Sequence, residues 1–261
     1  KRFAQLSSMD HRRLIDNLRQ QLRPLLPQRI NSVGSELILI PKGTFWMSEN
    51  GQQAQVEVTI EHGFYLGKYT VTQGEWLHLL GSNPSFFSSN NEGLESLSGY
   101  TEEELLRFPT EQVSWDDANR FIQVLNEKES DQELRYRLPS EVEWEYACRG
   151  ASQTKAECQF RYYFSQPTDS PSRDQVNHDS TSPLLNRTAP VGSFESNILG
   201  LHEMHGNVDE WCEELLAGSG RIIRGGSFND FIERCEASRR YGFSPDCRYN
   251  SIGFRLLAEL K

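Results

Sequence analysis

The apolar runs of this chain are short, and a turn residue cuts off nearly every one, a punctuation that limits the fold more than any other feature. Residues 37–40, 44–47, 56–60 and 64–66 read as strands, broken by Pro41, Gly43, Gly51 and Gly63. Helical patterns are few. One covers 72–80 with Thr72 or Thr70 near its N-cap, and a second covers 114–127 behind Ser114, where Asp116 and Asp117 suit a helix N-terminus. A third covers 140–149, with Ser140 and Glu143 in the capping-box spacing. Residues 88–107 form a polar excursion with a short helix at 101–106, and 165–183 reads as loop. Many short segments without strand–helix alternation predict an irregular, loop-rich α+β domain. The expected organisation is a lead-in helix and linker over 1–36, followed by one compact domain over 37–261. The lead-in holds Leu14, Leu18 and Leu22 at helical spacing among arginines and is stopped by Pro24 and Pro27. It suits packing on the domain or on a further region, or alternatively a partner or membrane surface.

The net charge of −10 argues against a nucleic-acid partner, because phosphate binding requires a concentrated basic surface. No apolar run approaches the roughly 20 residues of a spanning helix, so no membrane span is expected. Five cysteines, Cys148, Cys158, Cys212, Cys235 and Cys247, give no C-x-x-C pair and no even framework of disulfides. That pattern and the absence of a charged-then-apolar leader predict a cytoplasmic location. A chain opening on Lys1 is expected to be part of a longer polypeptide.

Residues 221–257 join a repetitive frame to irregular residues of exposed type. The frame is Arg224-Gly225-Gly226-Ser227 at one end and Ile252-Gly253-Phe254-Arg255 at the other. Between them Phe228, Asn229, Asp230, Phe231, Tyr241, Phe243, Asp246, Tyr249 and Asn250 mix rigid rings with short polar groups, the chemistry of a recognition surface. The competing reading is an ordinary loop-rich terminus with aromatics in the core. If the stretch recognises a ligand, its side chains should gather on one exposed face, and Trp144, Trp211 and Phe254 should be buried as frame.

Six segments stand in order: residues 64–72, 113–118, 137–147, 197–211, 224–228 and 252–255. This succession resembles the formylglycine-generating, sulfatase-modifying enzyme family. The resemblance implies a C-type-lectin-like fold, shared with the variable ligand-binding proteins of diversity-generating retroelements. That fold hosts enzymes and binders alike, so function depends on the site.

The family's oxidases resemble this chain but hold Cu(I) between two thiolates lying between the Gly-Gly-Ser turn and the following arginine. Here residues 228–233 contain no cysteine, so no copper is expected. An iron branch of the fold uses an H-x3-H-x-E pattern, which is also absent. His202 and His205 read as ordinary loop residues. The resemblance further implies a Ca²⁺ site at Glu203, Gly206, Val208 and Glu210, hard oxygen ligands in a tight loop, against a loop held by hydrogen bonds without an ion. Two functions remain open: a non-catalytic module binding an unknown protein or other ligand, with a surface that the resemblance makes a candidate for retroelement diversification, or an oxidase on the same fold. The missing copper thiolates lean the reading away from an enzyme.

Overall fold

The computed structural model describes residues 26–48, 56–89, 91–130, 132–179, 186–216, 218 and 220–261. Apart from Leu26, the basic helix expected at 10–26 lies outside the described residues. An antiparallel sheet of five strands runs β1 (Gln28–Ile30), β2 (Glu36–Ile40), β5 (Phe64–Gly67), β13 (Leu257–Leu260) and β6 (Leu134–Arg137), in that order. β1 pairs with β2 in register Gln28↔Ile38 to Ile30↔Glu36, so the folded unit begins ahead of the boundary at 37.

A second sheet has the order β11 (Arg240–Phe243), β10 (Arg221–Arg224), β9 (Asp209–Leu215), β12 (Ile252–Gly253), and its last pair is parallel. Two ribbons complete the strands: β3 (Gly43–Met47) with β4 (Val56–Ile60), and β7 (Tyr162–Tyr163) with β8 (Pro167–Thr168).

Side chains alternate across the sheets, and both faces are covered. In β2, Ile38 and Ile40 enter one core with Phe45, Trp144 and Leu257, while Leu37 enters the other with Trp76, Phe121, Trp211 and Phe254. β10 divides in the same way, Ile222 to the first and Ile223 to the second. Among the described residues, two large interleaved cores thus form around shared sheets, with two smaller apolar clusters beside them. Trp144, Trp211 and Phe254 are fully buried. Trp115 is half-buried and donates from Nε1 to the Cys212 carbonyl at 3.0 Å.

The helices are α1 (Gln73–Leu80), α2 (Glu102–Leu105), α3 (Trp115–Lys128) and α4 (Glu141–Cys148). Each starts with a capping box, on Thr72, Thr101, Ser114 and Ser140 in turn. Residues 252–260 hold two strands, one in each sheet. Gly253 passes so close to the Thr110 carbonyl that a Cβ would lie 2.5 Å from it, and the fully buried Arg255 sits where the chain crosses between the sheets.

Candidate functional site

The turn Gly225-Gly226 takes positive φ at both residues, +102° and +71°, and sends the chain out of β10 into the irregular stretch. Directly after it the side chains alternate in and out. Phe228 is buried beside Phe87, ring edge to face at 5.4 Å; Asn229 is exposed; Asp230 is buried; Phe231 is 63% exposed.

Asp230 is a staple, not a recognition residue. Its carboxylate accepts from the Ser227 amide at 3.1 Å and from the Ser227 hydroxyl, and it pairs with Arg234 at 2.7 Å. Gly226 donates its amide to Asp209 at 3.1 Å, and burial, reinforced by Asp230, pushes the Asp209 carboxyl well above the usual range. Cys235 lies beneath Gly226, and burial raises its thiol as well.

The rings Phe231, Tyr241, Phe243 and Tyr249 are neither all exposed nor all buried. Phe231 and Tyr249 (46%) are exposed, whereas Tyr241 and Phe243 are half-buried against the second core. Tyr241 and Phe243 stand two residues apart on the edge strand β11, on one face. Arg234 covers Tyr241 at 4.0 Å, and Tyr249 packs on Phe243 at 5.2 Å between ring centroids. Arg234, Tyr241, Phe243 and Tyr249 therefore form one strip. Asp246 is exposed, and no contact ties it to that strip.

A second grouping lies beside the strip. Phe228, Asn229 and Asn250 line an open cleft of about 440 Å³ together with Phe86, Phe87, Gly93, Glu95, Ser96 and Asn186. The strip and the cleft meet at the neighbours Tyr249 and Asn250. The wall of Phe86, Phe87, Gly93, Glu95 and Ser96 escaped the sequence reading because the last three sit in the polar excursion and the paired phenylalanines just ahead of it. The wall is fixed from below by Glu111, whose carboxylate accepts from the amides of Phe86 and Phe87 at 3.1 and 2.9 Å. Burial pushes the Glu111 carboxyl up to about 8.

The four residues considered for calcium sit on one buried stretch, but both carboxylates already have protein donors. Glu203 accepts from the amides of Gly192 and Phe194, and burial raises it to about 7. Glu210 accepts from Trp144 Nε1 at 2.8 Å and from Arg255 at 2.7 and 3.0 Å. Gly206 donates its amide to Gly225, and Val208 is buried. Any ion at Glu203 and Glu210 would therefore share their oxygens with these protein donors. No group of three or more His, Cys, Asp or Glu able to hold a metal occurs among the described residues.

His205 is not an ordinary loop residue. It is buried, accepts the Tyr163 amide at Nε2 (2.9 Å) and donates from Nδ1 to the Cys235 carbonyl (2.7 Å).

Several known proteins share this framework. Chaperone protein LppX of Paenibacillus barcinonensis is 28% identical over 242 residues, covering 79% of this chain and 83% of that protein. The formylglycine-generating enzyme of Streptomyces coelicolor is 29% identical over 175 residues, covering 56% of this chain and 51% of the enzyme. This chain thus matches about half the enzyme's length. Treponema denticola variable protein 1 superposes with a TM-score of 0.69 at 22% identity, covering 90% of this chain and 99% of that structure, which shows a shared fold. Residues 23–260 match the sulfatase-modifying factor enzyme 1-like domain, and the chain belongs to that family.

Proposed function

We propose that this chain is a non-catalytic binding module whose recognition surface is the exposed Phe231, the strip Arg234, Tyr241, Phe243, Tyr249 and the adjoining cleft. The observation that carries this reading is the alternation after the Gly225-Gly226 turn. Phe228 and Asp230 anchor the segment, and Asn229 and Phe231 are left displayed with no structural task that would account for an exposed ring. Where the resemblance puts copper thiolates, this chain has no cysteine between Ser227 and Arg234. Cys235 is buried with a raised thiol, a poor nucleophile and a poor source of thiolate. The ligand is a protein or another molecule that rigid rings and short amides can recognise. Diversification of 227–250 by a retroelement is a further proposal, tested by a near-identical coding copy differing only at adenines.

Two measurements test the binding reading. The chain is incubated with copper, oxygen and a sulfatase-type Cys peptide, and no formylglycine is expected; its appearance overturns the proposal. In parallel, a photo-crosslinking residue replaces Asn229. Adducts formed in the native host should disappear when Phe231→Ser and Tyr249→Ser are added, and adducts indifferent to those changes count against the surface.

Calcium at Glu203, Gly206, Val208 and Glu210 is a separate proposal. An ion there would compete with Arg255 for Glu210, so its signature is a rise in Tm at millimolar calcium that Glu203→Gln abolishes.

A further inference from the structure

The cleft beside the strip has a composition that points to one class of ligand. Its aromatic side is a ladder of three rings, each meeting the next edge to face: Phe86 with Phe87 at 5.0 Å, and Phe87 with Phe228 at 5.4 Å. Phe87 and Phe228 are buried and back the site, while Phe86 is half-exposed and offers a ring to a ligand. Gly93 permits this, because a Cβ there would stand 2.9 Å from the Phe86 ring.

The polar side consists of amides. Asn229 is exposed and its side-chain amide meets the Ser227 hydroxyl at 2.6 Å, leaving the rest of its hydrogen-bonding capacity to the cleft. Among the described residues no side-chain hydrogen bond engages Asn250 or Asn186, so each presents both a donor and an acceptor. Asn186 holds a φ of +40°, a strained conformation for a residue with a side chain. Among the described residues no cation lines the cleft, and the one ionisable group there is the exposed Glu95. About 440 Å³ falls within the roughly 300–1,000 Å³ of small-ligand sites.

Paired donors and acceptors around an accessible ring, without positive charge, match a molecule that is uncharged, rich in hydroxyls and apolar on one face. A pyranose ring has these properties: its C–H face packs on an aromatic ring while its hydroxyls both donate and accept. An anionic ligand would meet Glu95 with no compensating cation. An apolar one would leave three amides unpaired.

We propose that the cleft formed by Phe86, Phe228, Asn229, Asn250 and Asn186 binds a neutral saccharide. This rests on the binding reading above and narrows its ligand.

The test uses the full chain with four soluble probes, N-acetylglucosamine, methyl α-mannoside, maltotriose and glucuronic acid, each read by saturation-transfer NMR. A sulfatase-type Cys peptide is run beside them. At least one neutral sugar should receive saturation at millimolar concentration and glucuronic acid should not. Asn229→Ala and Asn250→Ala, checked for an unchanged Tm, should each weaken that binding tenfold or more, and Phe86→Leu should weaken it by a similar factor.

Binding of none of the neutral sugars overturns the proposal, as does sugar binding that survives all three substitutions. Preference for glucuronic acid or for the peptide also overturns it. If the sugars fail while crosslinking through Asn229 still depends on Phe231 and Tyr249, the binding function stands and only the saccharide is lost. Formylglycine production removes both.

Discussion

Glu111 shows how much one residue can do beneath a surface it does not touch. It holds two consecutive amides of the cleft wall with no cation nearby, and burial raises its carboxyl to about 8. Glu203 and Glu75, raised to about 7, and Asp209 are shifted in the same direction, burial being the largest cause in each. The unfolded chain releases these protons near about pH 4. A carboxyl with a raised folded pKa keeps its full stability below that point and loses it as pH climbs toward the folded value. His205, lowered to about 4 by burial, works the other way: its contribution is full above about pH 6.5 and is lost on acidification toward 4. Stability is therefore expected to fall between pH 6.5 and 8. Each proton held only by the folded chain contributes up to about 1.4 kcal/mol per pH unit. Urea unfolding at pH 6.5 and 8 checks this, and Glu111→Gln should shrink the difference by on the order of 1 kcal/mol. An unchanged difference would show that Glu111 is ionised throughout.

Among the elements, the helices announced themselves and the loops did not. Ser140 with Glu143, and Ser114 ahead of two aspartates, mark their helix starts in the sequence because capping is a local bargain among neighbours. Ser140→Ala should cost about 1 kcal/mol in urea unfolding, within the usual range for a lost N-cap. The burial of Phe228 and Asp230 was not legible, because it depends on Phe87 and on Asp209, Ser227 and Arg234, groups that the fold brings together. The division of residues 252–260 between two sheets was not legible for the same reason: Gly253 meets the Thr110 carbonyl, more than a hundred residues upstream. Gly253→Ala should therefore destabilise by roughly 1–3 kcal/mol, as overpacking against backbone does, despite lying in a strand that would otherwise welcome a side chain. Thermal unfolding of that variant measures it, and a Tm within a degree of the parent would refute the close approach.

On the scale of the whole molecule the two sheets are tied by Arg255. It donates to the Gly67 carbonyl at 2.8 Å, the His202 carbonyl at 2.8 Å and both oxygens of Glu210, and Arg255 and Glu210 are both fully buried. Arg255→Met leaves a carboxylate in the core without its partner and should cost about 3–5 kcal/mol. Adding Glu210→Leu should recover a good part of it, since the charge then has nothing to lose. Denaturant titration of the single and double variants distinguishes a tie between sheets from a replaceable packing element. The six ordered motifs made the frame readable because Arg255, Trp144 and Trp211 belong to them, whereas the displayed residues carry no such signature.

The alternation after Gly225-Gly226 has one more consequence, for how freely this protein can change. Asn229 and Phe231 sit between anchors that carry the stability of the segment, and Tyr249 and Asp246 lie on a neighbouring loop. Altering these four positions together leaves the Asp230 staple, the Phe228 ring and the Arg255 tie in place. A library randomised at Asn229, Phe231, Asp246 and Tyr249 should therefore keep nearly the parental Tm in most members, whereas one randomised at Phe228 and Asp230 should yield mostly unfolded chains. The protein separates what it can afford to vary from what it cannot, residue by residue along a single strand of chain.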